Sequence, residues 1–141
     1  MILLDAQALI SLLLDEVAAA EVQSLLEAGD CGVAAPNLAE VIDVLGRRGV
    51  NVAYLRETLE ALIASALPVV ALQAHQAWRA GELRARYYHR VERPVLLADC
   101  LMLACLSGDD ALATADPHVA AVARAEGLVL HALPDSAGRR P

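Results

Sequence analysis

Four acidic residues stand where the apolar pattern of this chain predicts the ends of strands or the starts of helices. They are Asp5, Glu40, Asp99 and Asp116. Asp99 is the most unusual of them, because the other ten residues of the run 96–106 are all Leu, Ala, Cys or Met. A buried carboxylate without a partner is costly, and no Lys or Arg occurs between Arg93 and Arg124 to offer one. A metal ion is therefore the first candidate partner.

The ligand chemistry of these residues favours a hard divalent cation. Clustered carboxylates repel one another unless a cation lies among them, and Mg²⁺ or Mn²⁺ prefers oxygen ligands. With four His and no closely paired Cys, the chain offers little to zinc. Such a site suits metal-assisted hydrolysis of a phosphodiester. Three of the four acids also have a purely structural interpretation: Asp5 and Asp116 as helix caps, and Glu40 as an exposed charge in a helix's first turn. Asp99 resists one, because of its apolar flanks.

The elements that must position these acids alternate between strand and helix. We predict strands at 2–4, 31–34, 68–72, 111–114 and 128–132. Helices are predicted at 7–14, 17–28, 36–45, 51–66, 74–93, 96–106 and 117–126. Short, continuously apolar strands of this kind indicate a three-layer α/β/α fold around a central, mainly parallel five-stranded sheet. Sites in such sheets form at the carboxyl ends of the strands, so we expect the four acids to meet at one edge. Residues 1–133 are predicted to form a single domain and residues 134–141 a flexible tail.

Composition excludes several classes of function. All eleven cationic residues are Arg, and without Lys the chain can contain neither a P-loop nor a Schiff base, nor the lysine that a phospho-acceptor receiver domain needs. The N-terminus carries Asp5 and no basic residue, unlike a signal peptide, and no apolar run is long enough to cross a membrane. Cys31, Cys100 and Cys105 are odd in number and lie in apolar surroundings, so we expect free core thiols in a cytoplasmic protein.

The net charge of −7 is unevenly distributed along the chain. Residues 1–46 hold eight acids and no base, residues 47–93 hold eight Arg against four acids, and residues 94–123 hold four acids and no base. In the predicted helix 74–93, four arginines would share one face: Arg79, Arg86, Arg90 and Arg93. Arg side chains suit phosphate oxygens, and nearby Tyr can stack on unpaired bases, which favours an RNA-contacting strip. The alternative is an ordinary solvated helix with Trp78 in the core.

The four acids also occur in a familiar order. The segments NLAEVIDVL around Glu40, LLADCLMLACL around Asp99 and ALATADPHV around Asp116, preceded by Asp5, resemble those of the PIN-domain ribonucleases. Within that family the chain is most similar to the VapC toxins of bacterial toxin–antitoxin pairs, over nearly its whole length. The resemblance implies an endoribonuclease dependent on Mg²⁺ or Mn²⁺, in which the matching acids bind the metal and activate water. It also implies a homodimer and a cognate antitoxin that blocks the acidic pocket.

Two positions depart from the family pattern. The family often has a small polar residue two places after the first Asp, where this chain has Gln7. It often has a capping Ser three places before the third acid, where this chain has Leu96. These departures keep open a second hypothesis, a catalytically weak or inactive PIN-like module that binds RNA or a protein partner. Retention of all four acids favours the enzyme.

Overall fold

A five-stranded, fully parallel sheet lies at the centre of the computed structural model, which describes residues 1–141. Its strands are β1 (Ile2–Leu4), β2 (Cys31–Ala34), β3 (Val69–Val70), β4 (Ala111–Thr114) and β5 (Val129–Ala132). Their spatial order is β3-β2-β1-β4-β5. The order reverses on either side of β1, so a crevice forms where β1 and β4 end. The predicted fold class is confirmed.

Seven helices cover the two faces of this sheet. They are α1 (Ala6–Leu13), α2 (Ala19–Ala28), α3 (Ala35–Arg47), α4 (Val52–Ser65), α5 (Ala74–Tyr87), α6 (Leu97–Cys105) and α7 (Pro117–Ala125). Successive strand residues point to opposite faces, so Leu4 joins the core formed with α1 to α4 and Leu3 joins the core formed with α5 to α7. Cys31, Cys100 and Cys105 are buried free thiols, as predicted. None of the helices combines the length and hydropathy that crossing a bilayer requires.

Polar side chains begin three of the helices at the positions expected from the sequence. Asp5 Oδ1 accepts the Ala8 N–H of α1, and Asn51 Oδ1 accepts two backbone N–H groups at the start of α4. Asp116 Oδ1 accepts the first free N–H groups of α7. Each cap satisfies donors that a helix leaves open at its N-terminus. Asp5 and Asp116 thus have the structural role considered above, and the same bonds fix where both side chains point.

The Arg-rich helix is shorter than predicted. It ends at Tyr87 rather than near Arg93, and His89 and Arg93 instead pair in a small antiparallel bridge within the loop that leads to α6. Pro94 disfavours helical backbone at the preceding residue, which explains why the helix cannot run up to it. The prediction of four arginines on one helical face is therefore wrong, since Arg90 and Arg93 lie beyond the helix.

Three further predictions need correction: the burial of Trp78, the start of α2 and the length of the third strand. Trp78 is 78% exposed and is not a core residue, and Val17 lies before α2 with its side chain exposed. The third strand is only two residues long, because it is an edge strand that follows Pro68. In the tail, Arg140 donates to Glu21 of α2 and to the Ala132 carbonyl. The single domain 1–133 and the flexible tail 134–141 stay predictions.

The exposure of Trp78 leads to a stability prediction. Replacing this residue in Trp78→Ala should change the free energy of unfolding by less than about 0.5 kcal/mol, because no core packing is lost. Leu83 lies on the same helix and is 2% exposed, so Leu83→Ala should cost about 2–4 kcal/mol. Urea unfolding of both variants measures the difference. An equal loss of unfolding free energy in the two variants would show that Trp78 is packed in the core.

Candidate active site

A cavity of about 580 Å³ opens at the carboxyl edge of the sheet, next to the ends of β1 and β4. All four acids predicted from the sequence line it: Asp5, Glu40, Asp99 and Asp116. They come from four separate elements, and the structure brings them together as the parallel topology requires. The other polar residues along its walls are Gln7, Ser11, Glu16, Arg48, His118, Asp135 and Ser136.

Asp5 follows β1 directly and is the most buried of the four acids, at 4% exposure. One carboxylate oxygen accepts the Ala8 N–H at 2.6 Å, and the other accepts the hydroxyl of Thr114 on the neighbouring strand β4. Burial raises the pKa of Asp5 to about 6, although both hydrogen bonds oppose the shift. Repulsion from Asp116 and Glu40 adds to the increase. The carboxylate is thus fixed in place but carries its charge at a cost.

Asp116 is oriented by the same hydroxyl that binds Asp5. Its backbone N–H donates to Thr114 Oγ1 at 3.0 Å, while its carboxylate caps α7 through the His118 N–H at 2.6 Å. Thr114 is fully buried. A single side chain therefore sets the relative positions of two acids that lie 111 residues apart in the chain.

Asp99 lies in the first turn of α6, and its Oδ2 atom accepts the Leu96 N–H at 2.7 Å. Burial raises the pKa of Asp99 to about 7 despite this bond, and the charges of Glu40, Asp116 and Asp5 raise it further. No cation bonds to this carboxylate. The carboxylate thus lies in the cavity with a single backbone N–H as its hydrogen-bond partner.

Glu40 projects from α3, one turn into the helix that follows β2. Its Oε2 atom is buried and has no hydrogen-bond partner. Burial raises the pKa of Glu40, and repulsion from Asp43 and Asp116 adds to this. Asp43 itself is exposed and pairs with Arg47 on the outside of the helix at 2.7 Å, so it does not belong to the site.

The donor set matches a divalent cation that prefers oxygen ligands. All four acids are carboxylates, one carboxylate oxygen is buried without a partner, and mutual repulsion contributes to the raised pKa values of Asp5 and Asp99. A cation among them would relieve each of these costs. No group of three or more His, Cys, Asp or Glu side chains is already arranged to hold a metal ion. The carboxylates would therefore have to move towards an ion that entered the cavity.

Comparison with known proteins agrees with this geometry. The model of the PIN domain family matches residues 2–130. The chain belongs to the PIN domain family. A search by sequence against characterised proteins finds no significant match.

Three solved structures share this fold. VapBC2 of Rickettsia felis, bound to a promoter DNA fragment, superposes with a TM-score of 0.67 at 17% identity, covering 93% of this chain and 98% of that one. FitAcB of Neisseria gonorrhoeae gives 0.65 at 23% identity, with 92% and 96% covered. VapC20 of Mycobacterium tuberculosis, a Sarcin–Ricin loop cleaving toxin, gives 0.57 at 17%, with 91% and 85% covered.

The two departures from the PIN pattern have defined places in the structure. Gln7 points its amide to Glu16 at 3.2 Å and makes no hydrogen bond to the four acids. Leu96 is the N-cap of α6 and has no side-chain acceptor, but Asp99 itself satisfies the Leu96 N–H. Neither change removes a carboxylate from the cavity. Both leave the four acids in the arrangement that the topology imposes.

Of the four arginines predicted to contact RNA, two have side chains bonded to other groups of the protein and two have side chains that make no hydrogen bond. Arg79 donates to the Leu106 carbonyl at 2.9 Å, and Arg86 pairs with Glu126 at 3.0 Å. Arg93 lies over the ring of Tyr87, and Arg90 makes no hydrogen bond to the protein. None of the four lines the cavity.

Sequence reasoning missed two residues of the site. The sequence indicates Thr114 only as the last residue of a strand. Because that strand lies beside β1 and ends two residues before Asp116, hydrogen bonds from Thr114 to Asp5 and Asp116 were a possible expectation. Arg48, the residue that follows α3, lines the cavity. Its spacing of eight residues from Glu40 placed it on the same helical face, and this was the available signal.

The raised pKa values predict how stability depends on pH without metal. Asp5 and Asp99 bind protons more tightly in the folded chain than in the unfolded chain, whose Asp pKa is about 3.9. The free energy of unfolding should therefore fall by several kcal/mol as pH rises from about 4 to about 7, since each tenfold change in proton affinity is worth about 1.4 kcal/mol. Asp99→Asn should remove part of this fall, and Mg²⁺ should reduce it in the parent.

Urea unfolding in EDTA at pH 5 and pH 7.5 measures the effect. Asp43→Asn is the matched control, since this acid is exposed and lies outside the cavity. The control should keep the fall that comes from Asp5 and Asp99, because Asp43 raises the pKa of Glu40 but not those of Asp5 and Asp99. An Asp99→Asn profile identical to the parent's would contradict the burial of this charge.

Proposed function

We propose that this PIN-domain protein is an endoribonuclease that depends on Mg²⁺ or Mn²⁺ and acts as the toxin of a VapBC-type toxin–antitoxin pair. The observation that carries the proposal is the convergence of Asp5, Glu40, Asp99 and Asp116 in one cavity, with no cation among them. PIN domains are generally nucleases, and VapC20, which has the same fold, is a toxin that cleaves the Sarcin–Ricin loop.

Each acid has a role in the proposed reaction. Asp5, Asp99 and Asp116 would hold the metal with Glu40, because hydrogen bonds already orient the first three towards one edge. A bound divalent ion supplies positive charge that offsets the negative charge developing on the phosphate. Glu40 Oε2 makes no other hydrogen bond and is available to accept a proton from the attacking water. The buried hydroxyl of Thr114 holds Asp5 and Asp116 in position.

The RNA strand would reach this cavity past the loop between α5 and α6. Arg90 and Arg93 lie in this loop and are proposed RNA contacts, since neither forms a salt bridge in the structure. Arg79 and Arg86, expected to contact RNA from the sequence, would first have to release Leu106 and Glu126. The proposed partners are a cognate antitoxin and a second copy of the chain, as in the resemblance to VapC toxins.

Cleavage of RNA tests the catalytic proposal. Purified protein should cut a labelled stem-loop RNA with Mg²⁺ or Mn²⁺ and should stop in EDTA. Asp99→Asn should lower the rate by at least about 100-fold, because loss of even an outer partner of a metal ligand costs about 10–100-fold. Glu40→Gln should lower it by about 10²–10⁴-fold if this carboxylate accepts the proton.

Asp43→Asn is again the control, since it removes one carboxylate from the same helix as Glu40 without touching the cavity. This variant should cut as fast as the parent. Cleavage by Asp99→Asn at the parent's rate would show that the site is wrong. A parent that binds RNA but never cuts it would favour the alternative, a non-catalytic PIN-like module.

The toxin role is tested separately in cells. Induced expression of the parent should arrest growth, and Asp99→Asn should not, because the arrest requires cleavage. Where a gene for a small DNA-binding protein lies immediately upstream, co-expression of its product should restore growth. Arrest by both proteins would separate toxicity from the proposed active site.

A further inference from the structure

Most of the chain's eleven arginines are occupied by other groups of the protein. Five form close salt bridges: Arg47 with Asp43, Arg56 with Glu60, Arg86 with Glu126, Arg139 with Asp135 and Arg140 with Glu21. Three donate to backbone carbonyls: Arg79 to Leu106, Arg84 to Val95 and Arg124 to Pro141. The remaining guanidinium groups, which make no hydrogen bond, belong to Arg48, Arg90 and Arg93. Only Arg48 lines the acidic cavity.

Arg48 reaches the cavity because of its register on α3. Glu40, Val44 and Arg48 follow one another at intervals of four residues, and all three line the cavity wall. The helical rise puts the Cα atom of Arg48 about 12 Å from that of Glu40. The guanidinium faces Glu16 and pairs with none of the four acids, and it lies along the same wall.

Glu16, in the turn between α1 and α2, holds Arg48 loosely. The Glu16 carboxylate accepts Ser11 Oγ at 3.1 Å and Gln7 Nε2 at 3.2 Å, which fixes its position. Its distance to Arg48 Nη1 is 3.8 Å, too long for a hydrogen bond, and the Arg48 side chain is 51% exposed. A long, exposed ion pair of this kind adds little to folding stability. It does, however, keep a cation with free donors on the wall of the cavity.

We propose that Arg48 is a phosphate-binding residue of the cavity, which holds a backbone phosphate next to the one that is cut. The inference rests on the proposed function, because it assumes an RNA strand in the cavity. Its physical basis is that six acids line the cavity (Asp5, Glu16, Glu40, Asp99, Asp116 and Asp135) and would repel a polyanion. A guanidinium with its donor fork free offsets this repulsion at one point and suits phosphate oxygens.

Gln7 helps to position Arg48 in this proposal, through its hydrogen bond to Glu16. Its amide bonds to Glu16 and not to the metal-site acids. Gln7 is therefore a positioning residue in this proposal, since it orients the carboxylate that restrains Arg48. Substitution of Arg48 should not disturb the helix, because only its backbone N–H caps α3.

Binding measurements with a matched pair of variants test the proposal. Each variant is made in the Asp99→Asn protein, so that RNA is bound in Mg²⁺ without the cleavage expected of the parent. Affinity for a fluorescein-labelled single-stranded RNA is measured by anisotropy between about 50 and 200 mM NaCl. Arg48→Ala is compared with Arg47→Ala, which removes the same charge one residue away but outside the cavity.

Arg48→Ala should weaken binding about tenfold at low salt, as expected for the loss of one charge-assisted contact. The slope of log K against log salt should become shallower by about 0.7, the value for one phosphate contact on a single strand. Arg48→Lys should keep the slope and lose part of the affinity, since the charge remains without the fork. Arg47→Ala should match its background in both quantities. Melting temperatures should be unchanged, which separates binding from folding.

Cleavage assays on variants that retain Asp99 distinguish failure of the phosphate site from failure of the proposed nuclease activity. Arg48→Ala should raise KM about tenfold with little change in kcat, because the contact is made equally in the ground state and the transition state. Equal affinities and salt slopes for Arg48→Ala and Arg47→Ala, with a parent that binds and cuts RNA, would overturn this inference and leave the proposed function intact. A parent that binds RNA but does not cut it, together with the predicted slope change in Arg48→Ala, would support the phosphate site and overturn catalysis. A parent that binds no RNA overturns both.

Discussion

The hydroxyl of Thr114 is the contact on which the rest of the site depends. It donates to the carboxylate of Asp5 and accepts the backbone N–H of Asp116, so it joins the ends of β1 and β4 at the point where the sheet order reverses. Because Thr114 and Asp5 are both buried, neither can exchange its partner for water without opening the sheet edge. The remaining acids are then added from the helices around this fixed pair. A hydroxyl suits this role because it donates and accepts at once.

The fold offsets part of the cost of gathering negative charge at this edge. Asp5 and Asp116 are N-caps of α1 and α7, and Asp99 lies in the first turn of α6. The N-terminal end of a helix carries partial positive charge and free N–H donors, which stabilise a nearby carboxylate. This compensation is incomplete, since the pKa values of Asp5 and Asp99 remain raised to about 6 and about 7. The two apolar layers must supply the stability that the site lacks, and a bound cation would restore it.

The sequence predicted the fold class and the gathering of four acids because both follow from local patterns. Continuous apolar strands indicate a parallel sheet, and the carboxyl ends of parallel strands meet at one edge whatever the details of packing. What it did not predict depends on contacts between distant residues. The end of α5 at Tyr87, the exposure of Trp78 and the bond from Arg79 to Leu106 are set by which helices pack together. Helical spacing alone could not reveal that Arg90 and Arg93 lie beyond the helix. The role of Thr114 could not be predicted because one of its hydrogen-bond partners, Asp5, lies 109 residues away in the chain. Its other partner, Asp116, is only two residues away but bonds through its backbone N–H.

The charge layout of the chain shows why counting residues is a poor guide to a nucleic-acid surface. The excess of arginine in residues 47–93 suggested a basic strip, yet Arg79 and Arg84 brace backbone carbonyls and Arg86 is paired with Glu126. A guanidinium already bonded to the protein must give up that contact before it can bind phosphate, which lowers its net contribution. The relevant quantity is thus the number of free donors that face the path of the ligand. By that measure Arg48, which belongs to no predicted strip, is better placed than any arginine of α5, because it lines the acidic cavity and makes only a long ion pair with Glu16, without a hydrogen bond.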